Sequence, residues 1–177
     1  TRTGGQVTID IDATLVSAHS EKEGAEPTYK RGYGFHPMCS TIDHGAHGTG
    51  DIGVINLRPG RASAWASAAH ITVLDDTLAQ LPENERGQVL VRTDTGGCSK
   101  AFLHHITDLG LEYSIGFGAN ETVKAAVEAM PEQAWRAAVD SDGEPRDGAR
   151  VAELTAWMPT PVRNQHRNES REHPTER

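Results

Sequence analysis

The stretch VTIDIDATLVS, residues 7–17, alternates apolar and polar side chains and decides how the rest of the sequence is interpreted. Side chains of a strand alternate between the two faces of a sheet, so Ile9 and Ile11 share one face while Asp10 and Asp12 share the other. Aspartate is among the poorest strand formers. Two aspartates in the middle of one strand therefore need either a function or a compensating partner.

The segments that follow predict an α/β domain. Residues 28–43 and 50–60 read as two further strands, with the short connections that favour an antiparallel meander. The alanine-rich segment 61–84 has apolar residues three and four positions apart, which predicts an amphipathic helix ending near Pro82. Core contacts are expected from Ile52, Val54, Leu57 and Trp65. The remaining elements are a strand at 87–94, a helix at 98–110, a strand at 111–118 and a helix at 120–130.

Three antiparallel strands followed by two helix-linked strands is the element order of the ribonuclease-H-like fold. We therefore expect a five-stranded mixed sheet in the order 3-2-1-4-5 with flanking helices. In that order strand one lies beside strand four, so that Asp94 at the end of strand four comes near Asp10 and Asp12. Neighbouring carboxylates can hold Mg²⁺ or Mn²⁺, and two such ions about 3.5–4 Å apart support phosphodiester chemistry.

These acidic residues also have purely structural interpretations. Acidic side chains such as Asp10 and Asp12 can protect an edge strand against aggregation. An aspartate directly before a helix, as Asp94 is, can cap the helix or interact with its dipole. A capping role of Asp94 does not exclude metal binding.

Three local sequences resemble the catalytic domain of bacterial insertion-sequence transposases of the DDE class. They are DIDATLV (10–16), SEKEGAEPTYKRGYGFHP (20–37) and VRTDTGG (91–97), and the resemblance extends over residues 7–157. It implies that Asp12 and Asp94 are the first two catalytic acids and ligands of Mg²⁺ or Mn²⁺. It also implies metal-dependent cleavage at transposon ends and transfer of the freed 3′-hydroxyl, with transposon-end and target DNA as partners of the full-length protein.

The third acid of that family is a glutamate in a Tyr-Arg-x-x-x-Glu motif, and this sequence contains no such motif. The resemblance thus implies a C-terminally truncated copy, and whether the chain is a complete enzyme stays open. Residues 1–130 would form a partial catalytic core, 131–158 the start of an inserted subdomain, and 159–177 a disordered tail. Glu128 follows Asp94 by 34 positions, a spacing found in other DDE groups, and could serve as the third acid. The alternative is that Glu128 is a solvated charge on a helix.

Composition limits the remaining possibilities. The net charge of −8 does not favour nucleic-acid binding, although scattered basic residues could touch phosphates. These residues are Lys30, Arg31, Arg58, Arg61 and Arg92. No window approaches the roughly 20 apolar residues of a membrane span. The two cysteines, Cys39 and Cys98, are far apart, which favours a reducing cytoplasm, and the resemblance places the protein at the bacterial nucleoid.

Two alternatives to a transposase enzyme stay open. A truncated, non-catalytic copy could act as an interaction protein that associates with intact copies, or persist as a remnant. A stand-alone nuclease of the same fold could instead use four acidic residues. These would be Asp10, Asp12, Asp94 and Glu128.

Overall fold

The structure is a computed structural model that describes residues 6–19, 21–43 and 50–158. The chain divides into two compact units, the first ending at Phe117 and the second beginning at Gly118. Across the described ranges, no helix combines the length and the apolar character needed to cross a membrane. The predicted tail, residues 159–177, lies outside the described residues.

The first unit is built on a five-stranded mixed sheet. Its strands in chain order are β1 (Val7–Ala13), β2 (Val16–Ser17), β3 (Glu26–Pro27), β4 (Tyr33–Phe35), β5 (Met38–Asp43), β6 (Asp51–Asn56), β7 (Val89–Thr93) and β8 (Glu112–Ile115). The sheet has the order β6-β5-β1-β7-β8. Strand β1 is antiparallel to β5 and parallel to β7, so it is central rather than an edge strand. The predicted order 3-2-1-4-5 is confirmed.

Helices cover one face of this sheet. They are α1 (Ser67–Gln80) and α3 (Lys100–Asp108), and a short helix α2 (Glu83–Arg86) follows α1. The apolar side of β1, including the fully buried Ile9, packs with Leu74 of α1 and Phe102 of α3 in one hydrophobic cluster. The alternation of β1 therefore sends Asp10 and Asp12 to the opposite face.

The single strand predicted at 28–43 is wrong. The structure divides it into β4, which pairs with β2 and β3 in a small three-stranded sheet, and β5 of the main sheet. The break falls at Pro37, which has no N–H to donate to a ladder. Just before it, His36 donates its backbone N–H to the Arg58 carbonyl at 3.1 Å.

Three expected core contacts are also wrong. Ile52 is 68% exposed because it pairs with the exposed Thr41 and shares its face of the sheet, and Leu57, 63% exposed, follows the end of β6. Only Val54 of this strand packs partly against the core. Trp65 is 58% exposed, because the first helix begins at Ser67 rather than near residue 61.

The second unit contains one helix and one hairpin. Helix α4 (Glu121–Glu128) begins after its N-cap Asn120, whose side chain accepts from the Val123 N–H at 3.0 Å. Strands β9 (Arg136–Val139) and β10 (Pro145–Val151) pair antiparallel. A turn at Asp142-Gly143 joins these two strands.

Candidate active site

The register of β1 and β7 places two aspartates at the same edge of the sheet. Ile11 pairs with Thr93 in the parallel ladder. The next residue on one strand is Asp12, and the next residue on the other is Asp94. Both are exposed. Parallel strands end at a common edge, so the two predicted catalytic acids come from neighbouring strand ends.

The Asp94 carboxylate is fixed by the glycines that follow it. Its Oδ1 accepts from the Gly96 N–H at 2.7 Å and caps a 3₁₀ turn over Thr95–Gly97. A side chain at Gly97 would clash with Thr93, so this turn can pack onto β7 only with glycine there. Asp94 therefore caps this 3₁₀ turn rather than helix α3, which is capped by Ser99, and the capping engages one of its two carboxylate oxygens.

The Asp12 carboxylate is held in a similar way. Its Oδ1 accepts from the backbone N–H of Ala13 at 2.7 Å. On the other side of β1, Asp12 pairs in register with Cys39 of β5. Burial, together with the charge of Asp12, raises the pKa of the Cys39 thiol, which favours its neutral form. Each candidate ligand thus has Oδ1 bound to backbone and Oδ2 as the oxygen that a cation would take.

Asp10 has a different environment from Asp12. Asp10 and Arg92 are cross-strand partners in the β1–β7 ladder. Arg92 donates to both carboxylate oxygens of Asp10, with Nη2 2.7 Å from Oδ2, and Nη2 also lies 3.7 Å from Oδ2 of Asp43. Hydrogen bonding to Asp10 raises the pKa of Arg92. Asp10 is therefore neutralised by an arginine, which is the compensating partner that its position required.

Two buried groups, His70 and Arg58, lie close to the acidic edge, and no sequence pattern predicted their burial there. His70 of α1 is 2% exposed, and its Nδ1 donates to the Ala66 carbonyl at 3.1 Å. Burial lowers the pKa of His70, and the charges of Asp94 and Asp12 partly oppose that effect. His70 is therefore a neutral imidazole within electrostatic range of both carboxylates.

Arg58 is the second buried group. It is 8% exposed, donating from Nε to the His36 carbonyl at 3.1 Å and from Nη1 to the Ser63 carbonyl at 2.9 Å. Its Nη2 atom is buried and has no hydrogen-bond partner in the part of the chain that the structure describes. Burial lowers the pKa of Arg58. The alternation of the predicted strand 50–60 did not indicate that Arg58 would be buried, because its hydrogen-bond partners are carbonyls of loop residues.

Glu128, the other candidate acid, belongs to the second unit. It is the last residue of α4 and is exposed, while Val123, Ala126 and Met130 are buried. This agrees with the interpretation of Glu128 as a solvated helix charge. Within residues 6–19, 21–43 and 50–158, no group of three or more histidine, cysteine, aspartate or glutamate side chains is arranged to hold a metal ion.

The sheet order and the acidic strand ends define a ribonuclease-H-like α/β domain. The sequence profile of the family described as transposase DDE domain group 1 matches residues 1–170. The chain therefore belongs to this family of transposase DDE domains. No curated protein matches the sequence.

Proposed function

We propose that this chain is the catalytic domain of an insertion-sequence transposase in which Asp12 and Asp94 hold Mg²⁺ or Mn²⁺ for DNA cleavage and strand transfer. The observation that carries the proposal is the parallel pairing of Ile11 with Thr93, which brings the next residue of each strand to one sheet edge. Family membership supports the reaction class. Transposon-end and target DNA are the proposed partners, in a bacterial cytoplasm.

The environments of the acids support Asp12 over Asp10 as the ligand. Two nitrogens of the Arg92 guanidinium, Nε and Nη2, donate to the Asp10 carboxylate. A cation that bound Asp10 would therefore have to displace this ion pair. Within the described part of the chain Asp12 forms no such ion pair, and its Oδ2 is left for a cation. This difference also disfavours a stand-alone nuclease that needs Asp10 as a ligand.

The chain's own residues would orient the ion. Asp12 and Asp94 are fixed through their Oδ1 atoms by backbone N–H groups, so neither carboxylate has to reorganise when it binds a cation. When bound, such an ion polarises a phosphoryl oxygen and promotes deprotonation of the attacking water or hydroxyl. Buried, neutral His70 adds no competing positive charge at this edge.

Titration with Mn²⁺, followed by electron paramagnetic resonance of the free ion, tests the assignment. We expect weak binding, because Mg²⁺-type ions keep several waters and two carboxylates supply few anionic ligands. Asp12→Asn and Asp94→Asn should each weaken binding, and the double variant should abolish it. Asp10→Asn is the matched control, since it lies on the same strand and face but is bound to Arg92, and it should retain binding. Unchanged binding by the double variant would refute the proposal.

A further inference from the structure

Strand β6 forms one edge of the main sheet and carries exposed aliphatic side chains. Ile52 and Ile55 of β6 and the following Leu57 are all more than half exposed. Among the described residues, the only strand that pairs with β6 is β5. The outer side of an edge strand can pair with another chain, and proteins commonly prevent this with charged side chains or proline. Neither occurs from Ile52 to Asn56, so β6 lacks this protection.

A register shift places the two isoleucines of β6 on the same face of the sheet. Residues three positions apart in a regular strand point to opposite faces. In β6, however, Ile52 pairs with Thr41 and Ile55 pairs with Cys39, and the register shifts between these two pairs. Thr41 and Cys39 lie two positions apart in β5 and share a face. Ile52 and Ile55 therefore share it too.

The other residues of β6 lie on the face that α1 and α3 cover. A side chain at Gly53 would collide with Thr77 of α1, and Val54 packs partly against the core. Asp51 and Asn56 pair with buried residues of β5. With the face opposite the helices called the far face, residues 51 to 56 follow the order helix, far, helix, helix, far, helix. This order is the same in both directions along the strand.

This symmetry makes β6 complementary to a second copy of itself. Consider two antiparallel copies related by a two-fold axis between Gly53 and Val54. Ile52 of each copy then lies opposite Ile55 of the other, and helix-facing residues lie opposite helix-facing residues. A shift by one residue in either direction would place both isoleucines opposite helix-facing residues. Only the first register keeps the apolar side chains together.

The polar groups of β6 are compatible with this pairing. Asp51 of one copy lies opposite Asn56 of the other, so no two like charges meet, and an asparagine amide can donate to a carboxylate. The Gly53 carbonyl accepts from Gln80 Nε2 at 3.0 Å, so the pairing would use other backbone groups of β6. The opposite edge strand, β8, begins instead with the exposed, charged Glu112.

We infer that β6 is a self-association surface that pairs with β6 of a second copy of this chain. The pairing joins two five-stranded sheets into one continuous sheet and covers Ile52 and Ile55 of both copies on the far face. Strands of six residues bury less area than a standard interface of about 1,600 Å². We therefore expect a weak, symmetric dimer that forms at high protein concentration.

Sedimentation velocity over about a hundredfold range of protein concentration tests this pairing, in EDTA and without DNA. We expect the average mass to rise from monomer toward dimer. Ile52→Lys and Ile55→Lys should each weaken the dimer at least about tenfold, because each places two lysines in the apolar contact, one from each copy. Both positions are exposed in the single chain, so these variants should fold. Val139→Lys, the same change at an exposed aliphatic residue of the second unit, should leave the dimer unchanged.

Two double variants test the register. Ile52→Lys with Ile55→Glu places opposite charges across both contacts of the proposed pair, whereas Ile52→Lys with Ile55→Lys places like charges there. The first variant should dimerise about tenfold more tightly than the second. We expect this order even though the second variant has the smaller net negative charge, which by itself would favour association.

Three outcomes would overturn the inference. The first is a chain that stays monomeric at its highest soluble concentration. The second is a dimer that Ile52→Lys and Ile55→Lys leave intact, since its interface would lie elsewhere. The third is equal dimerisation by the two double variants, which would contradict the proposed register. These measurements involve neither metal nor DNA, so their results are independent of the proposed function.

Discussion

Asp10 and Asp12 are chemically identical and lie two positions apart on the same face of β1, yet their surroundings give them different roles. Asp10 sits within the ladder opposite Arg92, which binds it. Asp12 lies beyond the last residue that β1 pairs with β7, where the backbone N–H of Ala13 engages only one of its oxygens. The sequence predicts the shared face. The alternation does not predict that Arg92 binds Asp10, because this contact depends on the register of β1 against β7.

His70 gives a prediction about the pH dependence of stability. Its pKa in the folded protein is lowered by burial from the ordinary value of 6.5, so the unfolded state binds its proton more readily. Above about pH 6.5 the imidazole is neutral in both states and carries no penalty. As the pH falls below that value the folded protein should lose stability, until the pH passes the folded-state pKa and the loss levels off.

Urea unfolding between pH 8 and pH 5 measures this effect. The loss of stability on acidification should be smaller for His70→Gln than for the unaltered chain, whatever the absolute stability of the variant. His19→Gln is the control, because His19 is exposed and stays solvated in both states. A variant that loses as much stability as the unaltered chain would show that His70 is not responsible.

At the scale of elements, the edge strand β6 joins the sheet through a side chain. The β5–β6 register shifts between Cys39 and Thr41. At that point the Val54 N–H donates to Ser40 Oγ at 2.9 Å, and Ser40 Oγ lies 2.6 Å from Thr77 Oγ1 of α1. Thr77 in turn donates to the Val73 carbonyl, so Ser40 is the donor to Thr77. One buried hydroxyl thereby connects two strands and a helix.

Ser40→Ala should therefore destabilise the first unit by about 1–3 kcal/mol, because it leaves the Val54 N–H without its acceptor and removes the donor to Thr77. Chemical denaturation followed by far-UV circular dichroism measures this difference. Thr41→Ala, at the neighbouring exposed position of the same strand, should change the stability by no more than about 0.5 kcal/mol. Equal effects of the two substitutions would show that the Ser40 network does not stabilise the sheet.

The elements also show where sequence-based prediction succeeds and where it fails. Local signals were reliable: Asn120 caps α4, and Gly110, with a φ of 70°, ends α3 as expected for a C-terminal glycine. The start of α1 was predicted too early, although the apolar spacing extends back to Trp65. Hydrogen bonds from His36 and Arg58 hold the Ala62 and Ser63 carbonyls in an irregular segment, and these distant partners override the local periodicity.

At the scale of the whole molecule, the topology was predictable because the helix-linked strands follow an antiparallel meander, and that order leads to the observed sheet. The candidate ligands Asp12 and Asp94 followed from the same order combined with the family resemblance. A cavity that Tyr29 and Trp65 line beside Asp94 was not predictable, since these two residues are 36 positions apart in the sequence.

The overall charge predicts weak binding of duplex DNA. The chain carries a net charge of −8, and two of its arginines, Arg61 and Arg92, are bound to carboxylates. Both features reduce the electrostatic attraction that dominates affinity for the phosphate backbone. In a mobility-shift assay with transposon-end DNA at about 150 mM salt, we expect no complex at protein concentrations below about 1 µM. A sub-micromolar complex would reveal a basic surface stronger than this charge distribution provides.

The last prediction is that this chain, by itself, does not catalyse strand transfer. In-line displacement at a phosphodiester requires stabilisation of both the attacking and the leaving oxygen, which two-metal sites provide with a pair of ions. On the proposed assignment, Asp12 and Asp94 would supply ligands for one ion. The sequence has no Tyr-Arg-x-x-x-Glu motif to supply the third acid, and Glu128 is exposed at the end of α4. We therefore expect a second ion to find no fixed protein ligand among the described residues.

Incubation of the chain with Mn²⁺, pre-cut transposon ends and a target plasmid tests this directly, with joined products detected on a sequencing gel. We expect no joined product from the unaltered chain, even at concentrations at which Mn²⁺ binding is saturated. If joined product does form, two variants show whether Glu128 is responsible. Glu128→Gln removes the candidate acid, and Glu121→Gln, at the other end of the same helix, is its matched control. Joining that is lost in Glu128→Gln but kept in Glu121→Gln would identify Glu128 as the third acid.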